Sequence, residues 1–354
     1  MTDLLYSDVE ESLRTSVRGA LKRVTDPAGV AALYDHPDTD VSAAWSALAG
    51  DLGLAGLLVP EEWGGVGAGA REASVVLEEL GRTVAPVPFL ESAVIATSVL
   101  VALEAAELLP TLASGDRRAV LVLPWSARAG AWASVEGGSI APVAGAIGAD
   151  LFLVPTLVGG SVQLVLHESA DVEPLTSLDM SRPLAAVTPT GPGRVLAHGG
   201  AAMAAVDAGL AAGAALLASE QVGLAQWCLE TTVEYAKTRI QFARPIGSFQ
   251  AIKHRLADVY LEIAQAQAAA RYAADTLAGQ DPDAPVAQAV AQSYCSDVAV
   301  HAAEEALQLH GGIGMTWEHA IHLYLKRAKS DQLALGTPAA HRSDLADLVD
   351  LPQH

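Results

Sequence analysis

Residues 235–258 of the 354-residue chain read YAKTRIQFARPIGSFQAIKHRLAD, a turn containing glycine and proline between two long helical patterns. The first pattern covers 201–239 and the second covers 250–277. The second has apolar residues at positions i, i+4, i+7, i+8 and i+11, the spacing of one helix face: Ile252, Leu256, Val259, Tyr260 and Ile263. The stretch therefore predicts a short turn that joins two packed helices.

Two further helices are predicted downstream of this turn. Asp283 and Pro285 are typical of a helix start, because aspartate caps a helix and proline fits its first turn. This third helix ends at the glycine pair 311–312, and a fourth is expected over 318–330. Four successive helices predict an antiparallel bundle.

The first two thirds of the chain contain two different patterns. Residues 1–115 are predicted to be helical, with helices over 41–52 (capped by Asp40), 71–80 and 89–103. Between 116 and 200 the sequence changes to short β-type runs, AVLVLPW, DLFLVPTL and VQLVLHES, which Gly, Pro and Ser residues separate. This middle part is predicted to be a small β module.

The composition excludes several classes of function. Hydrophobic residues make up 51% and charged residues 18%, which indicates a folded globular protein. A net charge of −20 argues against a nucleic acid or an anionic membrane as a partner. The two cysteines, Cys228 and Cys295, lack CxxC spacing, so we expect neither a disulfide framework nor a metal site. The acidic N-terminal residues do not resemble a signal peptide, and Asp207 interrupts the alanine-rich run 201–217, so we expect a cytoplasmic protein outside the membrane.

The order of helices, β module and helical bundle resembles the acyl-CoA dehydrogenase family. The resemblance is strongest over 217–337, where YAKTRIQFARPIGSFQ is followed by LQLHGGIGMTWEHAIHLYLKRAKSDQLALGT. It is also clear in LGLAGLLVPEEWGGVG and LEELGRTVAPVPF. It implies a multidomain α+β fold with an N-terminal helical domain (1–115), a shortened middle β domain (116–200) and a C-terminal four-helix bundle (201–354).

The resemblance also implies that the chain contacts the flavin cofactor FAD. In this family the arginine that matches Arg239 pairs with the pyrophosphate of a neighbouring subunit's flavin dinucleotide. A guanidinium suits that group because it offers a planar fork of donors to two negative charges. The other implied contacts are Phe242, Gln250, Gln308, Gly311, Gly312 and Thr337. His310 lies beside the glycine pair, either as a structural residue or as a ligand.

The catalytic base of the family is missing at both of its known positions. Most members carry a glutamate two residues before the threonine, where it removes the α-proton of an acyl-CoA; this chain has Leu335 there. The family's alternative position lies on the helix that precedes the arginine turn, and this chain has Gly213 there. Neither residue can accept a proton. Glu220, two helical turns after Gly213, is the candidate for a displaced base, although a structural glutamate is the alternative.

The β module also lacks the family's threonine- and serine-containing flavin contacts, and it has Trp125 and Trp132 in that region. Retained tail contacts without a base resemble the smaller partner chains of bacterial heteromeric dehydrogenases of the steroid side-chain type. We therefore expect α,β-dehydrogenation of an acyl-CoA in an α2β2 assembly with a homologous subunit, and electron transfer to an acceptor protein. A homo-oligomer that uses Glu220, a structural subunit without flavin, and a flavin monooxygenase of the same fold are the alternatives.

Overall fold

The computed structural model describes residues 4–37, 39–135 and 137–351. Its helices are α1 (Asp8–Val24), α2 (Pro27–Ala32), α3 (Ser42–Trp45), α4 (Ala70–Thr83), α5 (Thr97–Ala102), α6 (Leu109–Ala113), α7 (Gly199–Thr238), α8 (Gln250–Ala278), α9 (Ala284–His310), α10 (Ile321–Leu333) and α11 (Pro338–Leu348). Wider helical turns at Ser46–Asp51 and Phe89–Ala96 extend α3 and precede α5. Single 3₁₀ turns occur at Leu54–Gly56, Glu61–Trp63, Ile246–Ser248 and Gly311–Met315.

The middle part forms two small sheets. Its strands are β1 (Ala119–Leu121), β2 (Ile140–Ala144), β3 (Leu151–Val158), β4 (Ser161–His167), β5 (Ala170–Leu175), β6 (Leu184–Pro189) and β7 (Arg194–His198). One sheet has the order β1-β3-β4-β7 and the other has the order β2-β6-β5. The β1–β3 pair is parallel, and the other pairs in these sheets are antiparallel. A hairpin follows α7, and its strands β8 (Ile240–Gln241) and β9 (Arg244–Pro245) have two residues each.

The long helices agree with the sequence prediction, and several details differ from it. The fourth predicted helix begins at Ile321 and not at 318. Asp283 occupies the cap position of α9, but its side chain makes no capping bond. Tyr260, which we expected on the apolar face of α8, is 62% exposed, whereas Val259 and Ile263 of the same stripe are buried. Helix α11 and strands β2, β5, β6 and β7 were not identified from the sequence.

Helix α7 is the centre of the molecule. Among the described residues it is the one helix long and apolar enough to cross a membrane, and 67% of its most apolar 18-residue window is buried inside the protein. One face of α7 packs with the N-terminal helices and the first sheet, and another packs with α8, α9 and α10. The alanine-rich composition therefore reflects close helix packing in a soluble-type core.

Helices α4 and α7 touch through their backbones. A Cβ atom placed on Gly81 would lie 2.0 Å from the carbonyl oxygen of Glu220, and one placed on Gly223 would lie 1.9 Å from that of Glu78. Real Cβ atoms do not approach a carbonyl so closely, so both positions require glycine at this separation. This crossing brings the backbone of Glu220 against the N-terminal helices.

We predict that Gly81→Ala destabilises the protein by about 1–3 kcal/mol or more, because the new methyl group forces the two backbones apart. Gly19→Ala is the control: it lies inside α1 with nothing within 4 Å of the added atom, so it should stabilise the helix by about 1 kcal/mol. Urea unfolding measures both changes. Equal effects of the two substitutions would contradict the backbone contact.

Candidate functional site

The helix ends near residues 239 and 311 meet at one end of the bundle. The Tyr235 hydroxyl donates to the carbonyl of His310 at 3.4 Å, which holds the end of α7 against the end of α9. The Ile246 amide donates to the Arg239 carbonyl at 2.9 Å and closes the hairpin, after which Gln250 begins α8. The structure thus brings together six of the seven expected flavin contacts, which we call the tail site: Arg239, Phe242, Gln250, Gln308, Gly311 and Gly312.

The tail site faces solvent. All six of its residues are exposed, and the Phe242 side chain is 88% exposed. The Arg239 guanidinium has no ion pair or hydrogen bond within the described parts of the chain. A Cβ placed on Gly311 or Gly312 would meet nothing within 4 Å, so there is room for a ligand to approach this backbone. The site has the features of a phosphate-binding surface.

The hairpin within the tail site is strained. Phe242 and Ala243 have φ values of 50° and 62°, and they form the two-residue turn between the paired residues Gln241 and Arg244. Two positive φ angles match the turn type that favours Asn-Gly, because L residues with a Cβ are disfavoured there. Ala243 is therefore the residue that departs from the preferred pattern.

We predict that Ala243→Gly stabilises the protein by about 0.5–1 kcal/mol, because glycine adopts this left-handed conformation without a Cβ penalty. Ala204→Gly, on the exposed side of α7, should have the opposite sign and destabilise by about 1 kcal/mol. Chemical denaturation compares the two variants with the wild type. A destabilising Ala243→Gly would show that the turn is not strained.

Thr337 does not join the tail site. It caps α11, where its hydroxyl accepts from the Ala340 amide at 3.3 Å. The preceding segment is fixed to α9 by a 3.4 Å bond from the Gln292 amide to the Ala334 carbonyl. That point is about 27 Å along α9 from His310, at 1.5 Å per residue. Any contact of Thr337 with a flavin would belong to a different part of the cofactor from the one that Arg239 reaches.

The two family base positions lie against each other and are both apolar. A Cβ on Gly213 would lie 2.7 Å from Ile95 Cγ1 and 3.1 Å from Leu335 Cδ1. Leu335 is 2% exposed and has a φ of 52°. The cavity beside it measures only about 20 Å³, roughly the volume of one water by the same measure. We call this space the closed cleft. It has no room for a flavin ring or an acyl-CoA.

Four contacts close this cleft between the β module and the bundle. The Leu335 amide donates to the Trp125 carbonyl at 2.8 Å. Asp207 on α7 accepts from the Trp132 indole at 2.7 Å and from the Gly130 amide at 2.8 Å. Arg128 pairs with Asp344 at 2.9 Å. The loop that carries both tryptophans is therefore fixed to the bundle.

Glu220 lies in a buried group of charges that we call the charge cluster. Its members are Glu91, Asp179, Arg182, Glu220, Arg327 and Asp331, and each is 5% exposed or less. One Glu220 oxygen accepts from Arg182 at 2.7 Å, and the other accepts from Arg327. Both oxygens are thus occupied by guanidinium groups. Glu220 is also about 28 Å along α7 from Arg239, at 1.5 Å per residue.

The remaining ion pairs of the charge cluster connect it to all three parts of the chain. Arg182 also pairs with Glu91 at 2.9 Å and with Asp331 at 2.5 Å, and Arg327 pairs with Asp179. Four acids therefore face two arginines. We did not identify Arg182 or Arg327 from the sequence, since a single arginine in a loop or helix gives no sign of burial; the only signal was the RAKSD run of α10.

The acids of the charge cluster differ in their ionisation. Burial alone would raise the pKa of Glu220, but Arg182 and Arg327 hold that pKa below its ordinary value. Burial raises the pKa of Asp331 well above its ordinary value, against the effect of Arg182. Within the described residues the Asp331 Oδ2 atom has no hydrogen-bond partner. Glu220 is therefore held as a carboxylate with a structural role, whereas Asp331 takes up a proton more readily than an ordinary aspartate does.

We predict that Glu220→Gln destabilises the protein by about 3–5 kcal/mol, because it leaves two buried guanidinium groups without that partner. Asp331→Asn should cost less, about 1 kcal/mol, because burial already disfavours the charged form of this carboxyl group and Arg182 keeps Glu91 and Glu220 as partners. Because folding lowers the pKa of Glu220, its contribution to the free energy of unfolding is fully present above pH 4.5. That contribution is lost as the pH falls through the lowered pKa. Denaturant unfolding at pH 7 and pH 4 tests this, and equal costs for the two variants at pH 7 would contradict it.

Comparison with known proteins identifies the class of this architecture. The N-terminal domain of acyl-CoA dehydrogenases matches residues 7–116, and the C-terminal domain matches residues 200–349. The acyl-CoA dehydrogenase IpdE2 of Mycolicibacterium smegmatis is 36% identical over 333 residues, which cover 94% of this chain and 96% of that protein. The chain therefore belongs to the acyl-CoA dehydrogenase family and is an oxidoreductase that acts on acyl-CoA.

Two solved structures share the fold over nearly the whole chain. The ChsE4-ChsE5 complex from Mycobacterium tuberculosis contains a chain that is 25% identical, with a TM-score of 0.85 and full coverage of both chains. A Tcur3481-Tcur3483 steroid ACAD variant is 28% identical, with a TM-score of 0.82, and the match covers 97% of this chain and 98% of that one. The first of these structures is a complex of two proteins.

Members of this family are flavoproteins, so the fit of FAD to this chain can be judged at both ends of the cofactor. The tail site fits, since it combines an exposed arginine that has no ion pair among the described residues with an open glycine backbone. The closed cleft, at about 20 Å³, is too small for a flavin ring.

Proposed function

We propose that this chain is the subunit of a heteromeric acyl-CoA dehydrogenase that completes the flavin site of a homologous partner. The partner holds the flavin ring and supplies the catalytic base. The observation that supports this most strongly is the contrast within one chain between an open tail site and a closed cleft. A self-sufficient enzyme would need both ends of the cofactor and a base in its own structure.

The residues of the tail site bind the cofactor and do no proton chemistry. FAD, when bound, supplies the acceptor for the hydride that leaves the β-carbon of the acyl-CoA. The Arg239 guanidinium binds the pyrophosphate, and Phe242 packs beside the adenosine part. Gln250 and Gln308 offer amides to the dinucleotide, and the 311–312 backbone approaches it closely because no Cβ intervenes. Thr337 contacts a flavin only if the closed cleft opens.

The substrate we propose is an acyl-CoA of the steroid-degradation type. The support is the similarity to a steroid dehydrogenase assembly and to the ChsE4-ChsE5 complex, together with the missing base in this chain. We further propose an α2β2 assembly in the cytoplasm and an electron-transfer protein as the acceptor. Nucleic acid and membranes are not partners in this proposal, which agrees with the net charge of −20.

We predict that flavin absorbance appears only when this chain is co-expressed with a homologous dehydrogenase chain from the same organism, and that an acyl-CoA bleaches it. Arg239→Ala in that complex should weaken flavin binding by about 10- to 100-fold, the effect of losing charge-assisted bonds to a phosphate. Arg194→Ala is the control, because Arg194 is an exposed arginine on β7 that pairs with Glu107. Absorbance spectra and the flavin dissociation constant are the measurements.

Each alternative function predicts a different result. Flavin and bleaching in the isolated chain, lost in Glu220→Gln without unfolding, would establish an autonomous enzyme. A flavin complex that is indifferent to Arg239→Ala would establish a structural subunit. Flavin in the isolated chain that is reoxidised by oxygen with insertion of an oxygen atom into a substrate would establish a monooxygenase.

A further inference from the structure

The tail site is built from two helix ends that are not joined by nearby sequence. Arg239 follows the end of α7, and the glycine pair 311–312 follows the end of α9. A dinucleotide that contacts both must find them at a fixed separation, because a misplaced binding group loses much of its interaction. Some contact must therefore fix α7 against α9 at this end.

His310 and Tyr235 form that contact. Tyr235 lies one helical turn before Arg239, and His310 directly precedes Gly311. Their rings stack with centroids 4.3 Å apart and an angle of 22° between the planes. The Tyr235 hydroxyl also donates to the His310 carbonyl at 3.4 Å. The stack joins the two halves of the tail site one residue away from the glycines.

The His310 ring is held from its other side as well. Its Nδ1 atom lies 2.8 Å from the Ala306 carbonyl, so this nitrogen carries the proton and donates. The side chain is only 3% exposed. A Cβ on Gly314 would lie 3.1 Å from His310 Cβ, so the glycine-rich turn packs on this residue. His310 is thus oriented by α9, by α7 and by the turn that follows it.

Resting on the function proposed above, we infer that His310 is the positioning residue of the tail site. Through its stack on Tyr235 it sets the distance between Arg239 and the 311–312 backbone, and so sets the affinity for the flavin dinucleotide. His310 acts through these residues and does not itself touch the cofactor. Its Nε2 atom is buried and has no hydrogen-bond partner among the residues that the structure describes.

The same arrangement makes the tail site sensitive to acid. A proton on Nε2 would place a charge in a buried position, facing Tyr235 on α7 and the ring of His319, whose centroid is 4.5 Å away. Burial lowers the pKa of His310, the Ala306 carbonyl opposes this, and His319 lowers it further. Because the pKa of His310 in the folded protein lies below the ordinary value of 6.5, the neutral, stacked form is retained at pH 6.5 and is lost only as the pH falls through that lowered pKa.

The test uses the flavin-loaded complex of this chain with its partner, and it measures the flavin dissociation constant by fluorescence between pH 8 and pH 5. His310→Ala removes the stack and should weaken binding at pH 8 by about 3- to 10-fold, as expected for one aromatic pair. His310→Phe keeps a ring of similar shape that cannot titrate. It should bind nearly as tightly as the wild type at pH 8 and lose the weakening that the wild type shows in acid.

His301→Phe on the same helix is the control, because its ring pairs with Glu262 on the surface away from Tyr235. It should leave both the affinity and its pH dependence unchanged. A wild-type pH profile in His310→Phe would overturn the inference, even if His310→Ala fails to fold. So would a wild-type affinity in a folded His310→Ala complex. Flavin still binds in each of these two outcomes, so the proposed function stands. A wild-type complex that contains no flavin would overturn both the proposed function and this inference.

Discussion

The buried pairing of Arg182 and Arg327 with four acids is the interaction on which the rest of the structure depends. Each guanidinium bridges parts of the chain that are far apart in sequence: Glu91 belongs to the N-terminal helices, Asp179 to the β module and Glu220 to α7. Removing these charges from water is costly, and the cost is offset only if every ion finds its partners in good geometry. The cluster therefore stabilises one relative placement of the three parts and disfavours others.

Helix α7 connects the charge cluster to the tail site, because Glu220 lies within the helix and Arg239 follows its end. Its 40 residues form one continuous helix about 60 Å long at 1.5 Å per residue. It carries the crossing with α4, the charge cluster, one wall of the closed cleft and finally Arg239. The tail site thus lies at the C-terminal end of α7, and the charge cluster holds the middle of this helix. Gly213, on the same helix, lies against Leu335, and neither residue can accept a proton.

Much of the fold could be predicted from the sequence because its helices are long and periodic. The bounds of α7, α8 and α9 follow from apolar spacing and from glycine at the helix ends, and the tail site follows from the resemblance of two short stretches. The strands β2, β5, β6 and β7 could not be predicted, because they are short and their partners are set by tertiary contacts. Glu220 shows the same limit: helical periodicity gives its face, whereas its burial between two arginines depends on residues more than 30 positions away.

The glycine crossing of α4 and α7 couples backbone packing to the buried charges. Gly81 touches the backbone of Glu220, and the next crossing contact, at Gly223, lies less than one turn further along α7. A larger residue at either glycine would move α7 away from α4 and carry Glu220 away from its two arginines. The cost of such a substitution therefore includes weakened ion pairs as well as lost packing, so changes at the two glycines and at Glu220 are not additive in their effect on the free energy of unfolding.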